Sequence, residues 1–332
     1  MCEAVKRRFW GFRSERNTKK DSSSQFCHSW ILNFVVVVPG IFDMMKDYTV
    51  NMKYWRDGSS KKKKSYEEQQ HVKPGPKRVL TQWSEFLMTL IWIRLNLPVQ
   101  LLSGIYGQSV SHLRKTAFTW VQAMRVVLVP ILVKWPSQET VRDSMPKCFK
   151  DTYPDTRVII DCTEIPIQKP RNPDAQHKTY STYKSRNTIK LLVGITPTGA
   201  FSFISKAWSG NVSDKYITKN SGMVELLEPG DQVMADRGFQ IEDILLGKGV
   251  KLIAPPFTRK CATNSKQKRL NANEIIETRR IALLRIHVER AIERMKRWEI
   301  LRHIPLVSVP ISTELVLVVG AFCNLLPPLV ED

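Results

Sequence analysis

The sequence predicts an α/β fold, in which a mixed sheet is flanked by helices and a small all-α helix-turn-helix domain precedes it. Three observations support this prediction. Apolar residues recur at helical spacing from residue 80 to about residue 124, segments rich in β-branched residues begin near residue 156, and a long amphipathic helix is expected from Glu277 to Trp298. A meander of strands followed by alternating helices and strands is typical of a mixed sheet covered on both faces.

The composition bounds the class of protein. The chain has 332 residues and is 42% hydrophobic, which allows one large domain with a buried core and one or two small ones. It carries a formal net charge of +20, which favours nucleic acid as a partner, with a membrane surface as the alternative. The apolar run Ile31 to Val38 is too short to span a bilayer, and prolines and polar residues interrupt Val307 to Val330. We therefore expect no membrane association and interpret the second stretch as a buried helix.

Residues 1–74 are basic and irregular, and we expect them to be poorly ordered apart from a short helix within Val38 to Trp55. The lysine run Lys61 to Lys64 fits either a solvated tail or a nuclear-localisation or DNA-clamping segment. The opening residues do not resemble a cleavable signal peptide. The six cysteines form no C-x-x-C pair, so the sequence predicts neither a zinc module nor a disulfide framework, and a reducing compartment fits best.

Residues 75–126 contain three helical pieces, LTQWSEFLMTLIWIRL, PVQLLSGIYG and SVSHLRKTAFTWVQAM. Pro98 suits a first helical turn, and Gly107 separates the second piece from the third, as in a helix-turn-helix. In such a unit the start of the third helix contacts DNA bases, which makes His112, Arg114 and Lys115 candidate DNA-binding residues. An ordinary helical hairpin packed on the larger domain is the alternative. Residues 127–154, rich in proline, are expected to form a connector to the domain at 155–332.

Three acidic residues are the candidate catalytic and metal-binding groups. Asp161 follows the strand segment RVII, Asp236 follows QVMA, and Glu289 lies on the long helix beside its apolar stripe of Ile281, Leu284, Val288, Ile292 and Met295. Mg²⁺ prefers oxygen ligands, and two such ions can activate the attacking oxygen and stabilise the leaving oxygen in phosphoryl transfer. The spacing alone does not distinguish a metal site from acids that cap or decorate helices.

At these residues the sequence resembles the DDE endonuclease domain of Harbinger-type transposases, over about residues 155–330. The resemblance is carried by the segments DCTEIPIQKP, TYKSRNTIKLLVGITPTGAFSFIS, SGNVSDKYITKNSG, LLEPGDQVMADRGFQIEDIL and ETRRIALLRIHVERAIERMKRWEIL. It implies an RNase H-like fold, an Asp-Asp-Glu triad at Asp161, Asp236 and Glu289, and a divalent cation, Mg²⁺ or Mn²⁺. It also implies cleavage and joining of DNA at transposon ends and target, a nuclear location, a homo-oligomer, and a separate DNA-binding partner protein in some members. Residues Thr81 to Met124 resemble the helix-turn-helix of the same family.

The long helix also resembles a signature shared with some bacterial insertion-sequence transposases, which implies DNA contacts for Arg285 and Lys296. Ala282 stands where that signature has a tyrosine. The competing function is a domesticated or decayed descendant that binds DNA or chromatin without cutting. The complete acidic triad favours the enzyme, whereas the absence of the family's N-terminal zinc module favours the descendant.

Other polar residues have predicted roles outside the triad. Glu164 is expected to be a structural acid, Asp214 a helix cap, Cys162 a core residue, and Arg237 a counter-charge for the acids. A basic cluster after the first strand fits either a grip on DNA phosphates or a solvated loop; it comprises Lys169, Arg171, Lys178, Lys184, Arg186 and Lys190.

Overall fold

The structure is a computed structural model that describes residues 38–49, 52, 54–55, 78–256, 259–260, 268–269 and 271–330, with backbone alone at 259–260 and 268–269. Most of the segment that we expect to be poorly ordered lies outside the described residues. Within it, helix α1 spans residues 38–49 and buries one face, formed by Val38, Ile41, Met45 and Thr49. This helix belongs to a compact unit separate from residues 53–332.

The three helical pieces of the N-terminal region are confirmed as α2 (Gln82–Leu95), α3 (Val99–Tyr106) and α4 (Val110–Leu132). Thr81 and Ser109 cap α2 and α4 through their side-chain oxygens. Gly107 ends α3 with a φ of 62°, a conformation that glycine adopts at little cost. Helix α4 continues past Met124 and through Pro130, because a proline in the last turn removes only one helical hydrogen bond.

A buried carboxylate joins α2 to α4. Glu85 is fully buried and accepts hydrogen bonds from Trp120 Nε1, at 2.9 Å, and from the Tyr54 hydroxyl. Arg78 lies 3.8 Å from the same carboxylate. Burial and the neighbouring Glu85 raise the pKa of the Tyr54 hydroxyl, so Tyr54 stays a neutral donor to the acid. The helices are therefore held by a paired polar group as well as by apolar packing.

Two short helices, α5 (Gln138–Asp143) and α6 (Lys147–Lys150), lead into the sheet. The sheet elements and the helices between them follow in chain order: β1 (Thr156–Pro166), α7 (Pro173–Thr179), β2 (Tyr180–Ser181), β3 (Arg186–Ile195), β4 (Phe201–Ile204), β5 (Trp208–Ser209), α8 (Asp214–Asn220), β6 (Gln232–Met234), α9 (Glu242–Leu246) and β7 (Lys251–Ile253). After the hairpin β8 (Arg259–Lys260) and β9 (Lys268–Arg269) come helices α10 (Ala272–Lys296) and α11 (Ser312–Cys323). The described residues also contain three 3₁₀ turns, at Val224–Leu226, Glu299–Leu301 and Leu306–Ile311.

The seven-stranded sheet has the order β2-β3-β1-β6-β7, and β4 and β5 also pair with β3. Strand β1 pairs antiparallel with β3 and parallel with β6, and β6 pairs parallel with β7. The predicted mixed α/β architecture is therefore confirmed, and the mixed sheet with flanking helices is compatible with an RNase H-like fold.

Helices cover the sheet through apolar contacts. Val158, Ile160 and Leu192 form one buried cluster with residues of α8 and α9, and α10 contacts β1 and β3. The predicted apolar stripe of α10 is confirmed, because all five of its residues are buried. The helix begins at Ala272, five residues before Glu277, because Asn271 and Glu274 form a capping box there.

Helix α11 is a core helix, as predicted, and it packs on α4 and β4. The segment Leu306–Cys323 is long and apolar enough to cross a membrane, but 61% of it is buried within the fold. Asn324 ends the helix and donates hydrogen bonds of 2.8 Å to the carbonyls of Leu132 and Phe201. This one side chain thus joins the end of α4, strand β4 and the end of α11.

Candidate active site

The parallel pairing of β1 with β6 brings Asp161 and Asp236 to the same edge of the sheet. Ile159 of β1 is in register with Met234 of β6, and each aspartate lies two residues beyond its member of this pair. Glu289 lies on α10, the helix that contacts β1. All three acids line one cleft of about 570 Å³, so the structure brings together residues that are 75 and 53 positions apart in sequence.

A single guanidinium lies among these acids. Arg285 Nη2 is 3.0 Å from Glu289 Oε1 and 3.6 Å from Asp236 Oδ1. The arginine side chain is 16% exposed, whereas those of Asp236 and Glu289 are 49% and 55% exposed. Arg285 therefore bridges two acids from below, and their outer oxygens remain open to the solvent of the cleft.

The ionisation of Asp161 is perturbed by burial and by the neighbouring charges. Its Oδ1 accepts the Cys162 backbone N–H at 2.8 Å. Burial, together with the negative charges of Asp236 and Glu289, raises the pKa of Asp161 to about 6, although Arg285 and the Cys162 N–H oppose that change. Ionised Asp161 is thus destabilised in the protein alone, and an added cation would stabilise it.

The acids do not form a closed metal site. Among the described residues, no group of three His, Cys, Asp or Glu side chains is arranged to hold a metal ion. The donor set itself suits a hard divalent cation, since it consists of carboxylates with solvent-facing oxygens. Arg285 supplies the counter-charge in this arrangement. Arg237, for which we predicted that role, forms no ion pair with the acids in the described part of the chain, and its backbone N–H donates to Asp236 at 2.7 Å.

A second ionic cluster occupies the same cleft. Lys190 Nζ lies 3.0 Å from Asp214 Oδ1 and 3.8 Å from Glu164 Oε1, and the Thr188 hydroxyl donates to Glu164 at 2.9 Å. The cap of α8 is Ser213 and not Asp214, because the Ser213 hydroxyl reaches the Tyr216 N–H while Asp214 bonds to Lys190. Glu164 and Asp214 are therefore both paired with the Lys190 ammonium.

Cys162, predicted to lie in the core, packs against the buried cluster of Val158, Ile160 and Leu192, but it is only partly buried and also lines this cleft. Burial and the neighbouring Asp214 raise the pKa of its thiol, so the sulfur is protonated and unreactive at neutral pH.

The basic residues that the resemblance implies also line the cleft. Arg285 and Lys296 face it together with Lys184 and Lys190. Burial, and then the charge of Lys184, lowers the pKa of Lys296, while Asp161 and Glu164 oppose that change. A phosphate of a bound nucleic acid would relieve this crowding of positive charge.

The three candidate DNA-binding residues of α4 lie in different environments. Lys115 is exposed, and His112 packs edge-on against Tyr54. Arg114 is partly buried and lines a cavity of about 440 Å³ between helices α2–α4 and residues 303–308. Its Nε is buried without a hydrogen-bond partner in the described part of the chain. Of the three, Lys115 is thus the most exposed side chain.

The sequence did not point to Tyr183, which is 82% exposed and lines the cleft of the three acids, called the active cleft below. It lies in the turn between β2 and β3, where no periodic pattern marks it as a site residue. The adjacent basic cluster was the only signal in this part of the sequence.

The fold and the cleft define a class: a mixed α/β domain with an acidic cleft at the carboxyl ends of adjacent parallel strands, lined by basic side chains. Residues 160–324 match the family model of the DDE superfamily endonuclease, a range that contains Asp161, Asp236 and Glu289. This part of the chain is accordingly similar to DDE superfamily endonucleases. No curated protein and no solved structure matches the chain.

Proposed function

We propose that this protein is a DNA transposase-type endonuclease of the Harbinger type, which cleaves and joins DNA phosphodiester bonds with a divalent cation, Mg²⁺ or Mn²⁺. The observation that carries the proposal is the convergence of Asp161, Asp236 and Glu289 in one cleft, within residues that match the DDE superfamily endonuclease model. Burial, followed by the charges of Asp236 and Glu289, raises the pKa of Asp161, so its ionised form has a high electrostatic cost in the protein alone. Such a cost is typical of functional sites.

Each side chain has a proposed task. Asp161, Asp236 and Glu289 would hold the cation, and Glu289 and Asp236 would exchange their contact with Arg285 for it. When bound, the cation supplies Lewis-acid activation of the attacking oxygen and stabilises the leaving oxygen. The guanidinium of Arg285 and the ammonium of Lys296 would then donate hydrogen bonds to phosphate oxygens of the DNA and hold the scissile bond against the acids.

The remaining parts of the proposal rest on the resemblance and on charge. Helices α2–α4 are proposed as a helix-turn-helix that binds transposon ends, with Lys115 on its exposed surface. The net charge of +20 favours DNA binding that weakens steeply as salt increases. We further propose nuclear action, a homo-oligomer, and a separate DNA-binding partner protein.

The test is cleavage of DNA that carries the terminal repeats of the element encoding this protein, with Mg²⁺, with Mn²⁺ and with EDTA. The wild-type protein should cut only with metal. Glu289→Gln preserves the shape of the side chain and removes its charge. It should therefore reduce cleavage by about a hundredfold to a thousandfold, the scale of losing one electrostatic catalytic group, while DNA binding stays within about twofold.

Glu277→Gln is the matched control, because Glu277 is exposed on the same helix but lies three turns before Glu289, about 18 Å away. This variant should cut like the wild-type protein. Normal cutting by Glu289→Gln would place the active site elsewhere. Salt-dependent DNA binding without cleavage in any metal would instead support the domesticated descendant.

A further inference from the structure

A second groove, which we call the basic groove, adjoins the active cleft. It measures about 420 Å³ and has five cationic side chains in its lining, Lys184, Arg186, Lys296, Arg297 and Arg302, against the acids Glu164 and Glu293. Lys184, Lys296 and Glu164 line both the basic groove and the active cleft. The two depressions are therefore continuous at these side chains.

Most of the charges in the basic groove are already paired. Glu293 is bound to Arg297 at 2.9 Å, and Arg302 pairs with Glu299 at 3.4 Å. Glu164 is held by Lys190 and Thr188. In the described part of the chain, Lys184, Arg186 and Lys296 take part in no ion pair. These three cations extend from the active cleft into the basic groove, which is an arrangement suited to successive phosphates of one strand.

Tyr183 lines the active cleft next to Lys184, which both depressions share. At 82% exposure its ring buries almost nothing, so packing of the fold does not explain its position. The turn that carries it is well defined, because the buried Ser181 hydroxyl accepts the Lys184 N–H at 3.2 Å and Ser181 pairs with Arg186 across the β2–β3 ladder. The Lys184 ammonium lies 4.5 Å from the centroid of the Tyr183 ring. The backbone of the turn is thus held in place, and the ring faces the solvent beside a row of cations.

We propose that the basic groove binds single-stranded DNA and that Tyr183 stacks on an unpaired base of that strand beside the active cleft. This inference rests on the proposed function, since it specifies the state of its DNA substrate. A cationic groove combined with an exposed aromatic ring is the general solution for binding single strands, because every base has a face on which a ring can stack. Bases inside an intact duplex offer no such face, so the strand near the scissile phosphate would be unpaired.

The test measures binding of a fluorescein-labelled oligothymidylate and of a random-sequence duplex of equal length, by anisotropy in EDTA. Tyr183→Ala should weaken binding to the single strand about tenfold, the scale of one base–aromatic stack, and change duplex binding less than twofold. Tyr183→Phe, which keeps the ring, should bind like the wild-type protein. Tyr180→Ala is the matched control, since Tyr180 is 45% exposed on the neighbouring strand but does not line either depression.

The phosphate path has its own readout. The double variant Lys184→Ala, Arg186→Ala should reduce the slope of log affinity against log salt by about 1.4, because each contact to a single-strand phosphate contributes about 0.7. The proposal would be overturned if Tyr183→Ala bound the oligothymidylate as tightly as the wild-type protein does. It would also be overturned if the variant lost equal affinity for the single strand and for the duplex.

The outcome is independent of cleavage, because the assay contains no metal. A protein that never cuts DNA but shows the loss for Tyr183→Ala would retain the single-strand site and lose the endonuclease function. A protein that cuts DNA but binds oligothymidylate equally well with and without the Tyr183 ring would keep the endonuclease function and lack the single-strand site. Melting temperatures of all variants should match that of the wild-type protein, since the substituted side chains are exposed.

Discussion

Replacement of Asp161 by Asn should stabilise the metal-free protein at neutral pH but not at acidic pH. The pKa of the Asp161 carboxyl in the folded protein is about 6, against an ordinary value of 3.8, and burial is the largest cause. Ionisation of this group therefore opposes folding. Asparagine retains an oxygen that can accept the Cys162 N–H, and it never ionises.

The sign and size of the effect follow from the proton balance of folding. Below pH 3.8 both the folded and the unfolded chain hold the proton, so Asp161 has no effect. Between pH 3.8 and 6 the unfolded chain releases its proton while the folded protein keeps it, so the free energy of unfolding falls as pH rises. Above pH 6 the loss is constant, and at about 1.4 kcal/mol for each pH unit it is at most about 3 kcal/mol.

The measurement is urea denaturation of the wild-type protein and Asp161→Asn in EDTA at several pH values from 4 to 8. The difference in the free energy of unfolding should shift in favour of the variant by up to about 3 kcal/mol between pH 4 and pH 7. Asp151→Asn, at an exposed position, should show no such change. A difference that stays constant with pH, or that shifts toward the wild-type protein, would refute the electrostatic argument.

Two further predictions concern basic residues. Arg285→Gln should lower the stability of the metal-free protein by about 1 kcal/mol, because two partly exposed acids lose their shared counter-charge. The same variant should gain more thermal stability from Mn²⁺ than the wild-type protein does. Equal stabilisation of the two proteins by Mn²⁺ would contradict a competition between Arg285 and the metal for the acids. Lys115→Ala should weaken binding to duplex DNA and reduce its salt dependence, with no change in melting temperature. Arg114→Ala should change stability more than DNA binding, because Arg114 lines a cavity. The opposite pattern would mean that Arg114 leaves its cavity to contact DNA.

The sequence predicts those parts of the fold that depend on local periodicity. The three helices of the N-terminal region, the first long strand and the buried stripe of α10 all follow from the spacing of apolar residues. The order of the sheet does not follow in this way. The pairing of β1 with β6 joins Ile159 to Met234 across a long stretch of chain, and no local pattern specifies it.

The candidate site divides in the same way. Asp161 and Asp236 stand at strand ends, and Glu289 stands beside an apolar stripe, so the sequence can nominate them. The bridging position of Arg285 between two acids depends on how α10 lies on the sheet. The exposed Tyr183 has a role only because its turn adjoins the cleft. Both of these positions depend on tertiary structure.

The hydrogen bonds of Asn324 connect the end of helix α4 to strand β4 and to α11. Helix α4 is therefore a rigid spacer between its own first turn and the sheet. Its 23 residues span about 35 Å, close to one turn of B-DNA. If its first turn holds DNA as proposed, the distance from the bound bases to the acids cannot vary freely. Such a protein would cut at a set distance from the bases that it binds.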